Sequence, residues 1–420
     1  GESAAIQKIA KITRAHASSG SITIMGAGRS NAVPNLNEGR LFVGNASNQA
    51  VADDTAYIDI ANSRVGIGTT SPAEKLDVDG NLTVSGAVTA MSATFTGLVS
   101  QTGLGGSTYF GEGAGVSDDL SNNYNVGVGF EALKANTTGC NNTANGYKSL
   151  RLNTTGSNNT ASGFQSLHFN TTGSSNTTSG FLSLYANTTG NYNTASGYQS
   201  LYSNISGSSN TASGYQSLLS NTTGNCNTAS GYQSLRANTT GCNNTASGYQ
   251  SLYSNTTGNN NTTSGYRSLF SNTTGCNNTA SGTQSLRLNT TGNYNTAFGT
   301  SSLHLNTTGN CNTASGYSSL YSNISGSFNT ANGYQSLFSN TTGNYNTASG
   351  YRSLYANTTG NYNTASGYQS LRLNTTGSSN TAFGTCSLRS NTTGCPNTAS
   401  GTNSLLANTT GNNNTAFGTS

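Results

Sequence analysis

Asn136-Thr137-Thr138-Gly139-Cys140-Asn141-Asn142-Thr143-Ala144-Asn145-Gly146-Tyr147-Lys148-Ser149-Leu150-Arg151-Leu152 is a stretch of 17 residues that returns without a gap. New copies begin at Asn153, Asn170, Asn187 and Asn204, and so on to Asn408. Sixteen full copies fill 136–407, and a further one runs to Ser420. A short period kept this strictly is the signature of a solenoid, in which each unit buries surface only against its neighbours. Positions are numbered below from one (Asn136) to seventeen (Leu152).

Each copy has Gly at positions four and eleven, after Asn-Thr-Thr and mostly after Ser. Gly in such company marks turns. Two turns per copy leave two short strands, near positions five to ten and twelve to seventeen. Gly, Asn, Thr and Ser at this density exclude helix. The expected class is all-β: a parallel β-solenoid (β-roll) of 17-residue coils, with two strands per coil.

Position fifteen is Leu in every full copy, and Leu150, Leu167, Leu184 and Leu201 open the expected core ladder. Position nine is Ala, with Thr178 and Thr263 as exceptions, and position fourteen is always Ser, read as a limit on size. Position twelve is Tyr or Phe except at Thr283, Thr300, Thr385, Thr402 and Thr419. In three of those five copies position ten becomes Phe (Phe298, Phe383, Phe417). Residues two apart share a strand face, which suggests one aromatic slot per coil, filled from either position. With Leu and Ala it would form a thin core.

Position sixteen is long and variable: Arg151, His168, Tyr185, Tyr202, Arg236, Tyr253, Phe270, Arg287, His304 and Tyr321. Next to the core Leu, it should face outward. A ladder of rings and cations on a polar rod is the candidate glycan-contacting surface, or else the cover of a groove or subunit seam. The Asn at positions one and seven should stack about 4.8 Å apart from coil to coil, with amides bonded along the stack. The Asn-Thr-Thr triplets are also N-glycosylation sequons, although turn chemistry accounts for them.

Only 7% of residues are charged and Trp is absent. All 12 carboxylates precede residue 132, and Glu131 is the last of them. The first 135 residues carry eight basic and twelve acidic groups, net −4, and the rest carry eight basic groups and no acid, which restores the overall +4. A mildly basic, acid-free rod would attract anionic glycans, though charges this sparse also serve solubility alone. The 7 Cys lie mostly at positions five and six, with no CxxC, and read as free thiols in turns.

Residues 1–19 are the expected helix and attachment segment: Ile6, Ile9 and Ile12 recur every three, as do Lys8, Lys11 and Arg14. It would dock on a base or a preceding subunit, or close a trimer. Residues 20–84 read as strands and turns: Ser21–Met25, Arg40–Val43, Ala56–Ile60, Arg64–Ile67 and Lys75–Val78, with Asn81–Val84 after a hairpin turn at Asp79-Gly80. Residues 85–106 are a small, polar, Gly-rich neck. Degenerate, partly acidic capping coils fill 107–135, because Asn125–Leu133 aligns with Asn142–Leu150, and Ser107–Gly111 aligns with one residue extra. The strict repeat occupies 136–420.

Val65-Gly66-Ile67-Gly68-Thr69-Thr70-Ser71-Pro72-Ala73-Glu74-Lys75-Leu76-Asp77-Val78-Asp79-Gly80 resembles a segment of phage tail-fibre and bacterial surface-fibre proteins. Many of these end in a self-cleaving chaperone of the S74 peptidase type, which has no counterpart in this chain. The repeat motif Asn-Thr-Ala-x-Gly-x-x-Ser-Leu resembles the Ser-Val-Ala-Ile-Gly-x-x-Ser-x-Ala-x-Gly repeat of trimeric autotransporter adhesin heads. The copies here are about three residues longer per coil. The resemblance implies a trimeric β-roll.

The repeats contain no carboxylate, and His16, His168 and His304 stand far apart in sequence. Neither a carboxylate pair nor a Ser-His-Asp arrangement can be argued, and basic charge is too thin for nucleic acid. No membrane span is visible. The expectation is a non-enzymatic, extracellular fibre without cofactor: a homotrimeric shaft for host or surface attachment, with cell-surface glycans as partners, as a virion tail fibre or on a cell surface. The alternative is a subunit that polymerises into a filament, with its N-terminal segment docked into the preceding subunit.

Overall fold

The computed structural model describes residues 40–44, 50–59, 64–67, 69, 73, 75–78, 105–119 and 121–419. The expected helix with Ile6, Ile9 and Ile12, the strand at Ser21–Met25, the turn at Asp79-Gly80 with its second arm, and nearly all of the neck lie outside the described residues. The chain divides into two units, 1–98 and 99–420.

The first unit holds a sheet in the order β1-β2-β3-β4. Its strands are β1 (Arg40–Gly44), β2 (Ala50–Asp59), β3 (Arg64–Ile67) and β4 (Leu76–Val78). Three of these fall where alternating apolar residues placed them, and β2 begins at Ala50, earlier than expected. β2 and β3 form an antiparallel hairpin that sets Tyr57 against Gly66 and Ile58 against Val65. β4 returns parallel to β3, with Val65 opposite Leu76.

The second unit is a parallel β-solenoid. Its strands run from β5 (Thr108–Phe110) and β6 (Val126–Val128) through β7 (Thr143–Asn145) and β8 (Thr160–Ser162) to β23 (Thr415–Phe417). Each pairs in register with the strand one coil away: Thr143 with Thr160, Ala144 with Ala161. The copy at Ser107 is a true coil, because Thr108 pairs with Val126 across the extra residue. Nineteen strands stack in this way, so eighteen rises of about 4.8 Å give a stack near 90 Å.

Each coil has one strand rather than the two expected, and it is only three residues long, at positions eight to ten. The cause is backbone handedness. Positions thirteen and fifteen, and position six except at Pro396, adopt left-handed conformations, as at Asn141 (φ 56), Lys148 (φ 54) and Leu150 (φ 46). Such residues bend the chain, so neither five to ten nor twelve to seventeen can stay extended. The bent segments still stack through backbone bonds: the amide of Leu150 donates to the Ser166 carbonyl (3.0 Å), and that of Lys148 to the Phe130 carbonyl (2.8 Å).

The two glycines act differently. At position eleven Gly146 has φ +138, a conformation that L side chains rarely adopt, and a Cβ there would collide with the Gly163 carbonyl. Gly139, at position four, has no positive φ. A Cβ would strike the Gly156 carbonyl and the Asn136 side chain, so this Gly answers close packing of coils rather than turn geometry.

The interior is narrow and largely polar. Leu150, Leu167, Leu184 and Leu201 are fully buried with the Ala at position nine, as expected. So are Asn136, Asn142 and Ser149 and their equivalents. Asn153 Nδ2 donates to Asn136 Oδ1 (2.7 Å) and to the Gly156 carbonyl (2.8 Å). Asn159 Nδ2 donates to Asn142 Oδ1 (3.1 Å) and to the Gly173 carbonyl (2.9 Å). Both amide ladders therefore run as the sequence suggested. Ser at position fourteen does more than limit size: Ser149 Oγ donates to the Gly146 carbonyl (3.2 Å). Where Thr178 replaces Ala, its buried hydroxyl meets Ser166 Oγ (2.5 Å).

The degenerate coils close the first end. The ring of Tyr109 occupies the position-nine site of its coil and presses on Gly127, which leaves no room for the usual Ala. The Tyr109 hydroxyl donates to Asp118. Desolvation, and then this hydrogen bond, raise its pKa above the usual phenol value.

Candidate functional site

The aromatic residues at position twelve are not core. Tyr147 is 41% exposed. The ring follows Gly146, whose turn carries the chain away from the interior. Rings from successive coils lie face to face: Phe130, Tyr147, Phe164, Phe181, Tyr198, Tyr215, Tyr232, Tyr249 and Tyr266 form one unbroken run, with centroids 5.0–5.4 Å apart. Tyr317, Tyr334, Tyr351 and Tyr368 form a second run. The idea of one interior slot filled from position ten or twelve is thus overturned. Phe298, Phe383 and Phe417 are exposed and stack in neither run. The Gly between the two positions, at φ +115 in Gly299, breaks the alternation on which that reading relied.

Position sixteen forms a second ladder, more covered than expected. Tyr185 stacks on Tyr202 (5.1 Å), Tyr253 on Phe270 (5.1 Å), and His304 on Tyr321 (5.0 Å). Arg151, Tyr185, Tyr202, Arg236, Tyr253, Phe270, Arg287 and Tyr321 are half-buried. His168 and His304 are only 6% and 7% exposed, so these two are not surface contacts. His168 Nδ1 lies 3.1 Å from the Lys148 carbonyl and His304 Nδ1 3.1 Å from the Gln284 carbonyl, so that nitrogen holds the proton in each. Desolvation lowers both pKa values below the ordinary 6.5.

Position thirteen lies between the ladders and ties them into one face. Arg267 Cζ is 5.4 Å from the Tyr266 ring and 5.3 Å from the Phe270 ring. Arg352 bridges Tyr351 and Tyr355 in the same way, at 5.3 and 5.4 Å. Between rings, the Gln side chains form a third ladder: Gln216 Nε2 donates to Gln199 Oε1 (2.9 Å), Gln233 to Gln216 and Gln250 to Gln233 (3.0 Å each). Arg267 Nε ends it on Gln250 Oε1 (2.9 Å). The face thus offers rings, amides and guanidinium groups with the chemistry to meet a polar ligand that has flat apolar patches.

Charge is settled at one end only. Glu131 accepts from Lys134 Nζ (2.5 Å) and Arg151 Nε (2.6 Å), with Lys148 Nζ at 3.9 Å. These bonds bring its pKa down to about 2. Beyond it the chain has no carboxylate, and Arg287, Arg372 and Arg389 each bury Nε without a hydrogen-bond partner.

A third aromatic line was missed by the sequence reading. Phe328, Tyr345 and Tyr362, at position six, stack 4.9 and 5.0 Å apart and are about half exposed. Its signal was there: neither position six nor position thirteen ever carries Val, Ile or Thr, which left-handed backbone disfavours. Position five likewise explains the thiols that stand there. The amides of Asn225, Asn259 and Ser378 donate to Cys242, Cys276 and Cys395 Sγ (3.3, 3.3 and 2.9 Å), where other coils use Ser or Asn oxygen. All seven Cys are free. The sequon Asn at position one is buried with Nδ2 engaged, whereas Asn141, which starts Asn-Asn-Thr, is exposed.

Among the described residues no group of three His, Cys, Asp or Glu could hold a metal ion, and no helix is long and apolar enough to cross a membrane. Fold and face define a parallel β-solenoid with an aromatic outer side. Comparison with family models, curated proteins and solved structures finds no match.

Proposed function

We infer that the chain is a non-enzymatic fibre protein. It forms the shaft of an extracellular homotrimer, a virion tail fibre or surface adhesin, and contacts cell-surface glycans. The observation that carries this reading is the outer face on which the position-twelve and position-sixteen ladders flank the Gln and Arg row. Aromatic rings beside amides and cations suit pyranose rings, which have apolar faces and hydroxyl rims. The solenoid fold, the tail-fibre-like stretch at 65–80 and the adhesin-like repeat support the same reading.

The test is a printed array of pyranose oligosaccharides. The full chain should bind a subset of them. A variant in which every position-twelve ring becomes Thr, the residue already at Thr283, should keep its circular dichroism and lose that binding. Binding that survives the exchange would overturn the reading.

A further inference from the structure

Within the long ladder each ring face is covered by the next ring. A ligand can stack only where a run of rings stops, as it does at Tyr266, Tyr317 and Tyr368. The break falls between Tyr266 and Tyr317, where Thr283 and Thr300 stand in the intervening coils, both exposed. Three coil rises of about 4.8 Å separate the two rings by roughly 14 Å.

The rings report which wall is open. Rings with neighbours on both sides, such as Tyr215, Tyr334 and Tyr351, are 41%, 41% and 38% exposed. Tyr317 is 52% exposed, while Tyr266 stays at 43%. The bare surface is thus the face of Tyr317 that looks across Thr300. Phe298, in the same coil as Thr300, stacks on neither ring and leaves that face uncovered.

A second ladder stops at the same place. The Gln chain from Gln199 to Gln250 ends on Arg267, which reaches back to Gln250 and away from the break. In the next two coils position thirteen is Gln284 and Ser301, both half-buried. Their backbone amides donate to Tyr266 and Thr283 (2.8 and 2.9 Å), but their side chains enter no amide ladder. An uncovered aromatic face, two small residues beneath it and two side chains with free hydrogen-bonding capacity therefore coincide.

We propose that this break is a saccharide subsite. One pyranose ring lies flat on the open face of Tyr317, above Thr300, and its hydroxyls bond to Gln284 and Ser301. The proposal rests on the glycan-binding reading and places recognition at one point of the rod.

The same array tests it on the full chain. In T283Y/T300Y the ladder is continuous, and glycan binding should fall roughly two- to tenfold, the range of one lost stacking contact. The melting temperature should hold, because the repeat elsewhere carries Tyr at this position. Q284A/S301A leaves the ring bare and removes its polar partners, and should weaken binding comparably. A parent chain that binds while both variants bind equally well overturns the subsite alone. A parent chain that binds no pyranose glycan overturns the subsite together with the functional reading.

Discussion

At the scale of a residue, the buried Asn ladders explain why no acid stands at positions one and seven of the repeat. Asn238 Nδ2 donates to Asn221 Oδ1 (2.8 Å) and to the Gly241 carbonyl (2.9 Å), while its own Oδ1 accepts from Asn255 (2.8 Å). Every rung must be donor and acceptor at once, at zero exposure. Asp offers no donor when ionised and buries a charge. Asn238→Asp should therefore cost about 3–5 kcal/mol at neutral pH, in the range of an uncompensated buried charge. A urea titration would check this; a midpoint unchanged from the parent would contradict the ladder's role. Position five makes a milder demand, for an acceptor alone, and so Ser, Asn and Cys interchange there.

At the scale of the coil, the sequence made much of the fold legible. The period, the Leu and Ala of the core, the amide stacks and the capping coils from 107 all followed from spacing. The second strand did not, because left-handed Lys148 and Leu150 look like ordinary strand residues by side chain, and only the missing β-branched residues at positions six and thirteen betray them. The outward turn of Tyr147 was hidden for the same reason: alternation holds only where backbone is extended. The position-sixteen residues, expected to face outward, are half-buried or, at His168 and His304, buried.

The His pair gives that ladder a pH response. His168 faces Lys148 and Arg151, with Glu131 as a weaker counter-charge, and His304 faces Arg287. Both folded pKa values lie below the unfolded 6.5, so the folded state resists protonation. Their contribution is fully present above pH 6.5 and is lost as pH falls through the lower folded values. The melting temperature should decline on going from pH 7.5 to 5. In H168Y/H304Y, which carries the Tyr that other coils use, the decline should be visibly shallower. Parallel curves for the two proteins would contradict this.

At the scale of the molecule, modularity is the main consequence. Each coil bonds only to its two neighbours, so stability should add up coil by coil. Deleting 204–220, one full period, should leave a folded rod shorter by about 4.8 Å, whereas deleting nine residues from the same place should cost solubility and strand signal. Electron micrographs and native mass spectra of both would show it, and the spectra should give three chains per particle for the parent. A single-chain mass would remove the trimer from the proposed function.

The amide rungs have one more consequence. Asn153, Asn170 and Asn187 each donate Nδ2 to the Asn of the preceding coil, and Asn159 and Asn176 do likewise in the other stack. All these group moments point the same way and sum along the axis, as peptide moments do in a helix. The N–H end of both stacks faces the first coil and the carbonyl end faces the last. The two amide stacks therefore share one polarity from the first coil to the last, opposite to that of most inter-coil backbone amides, which donate towards the following coil.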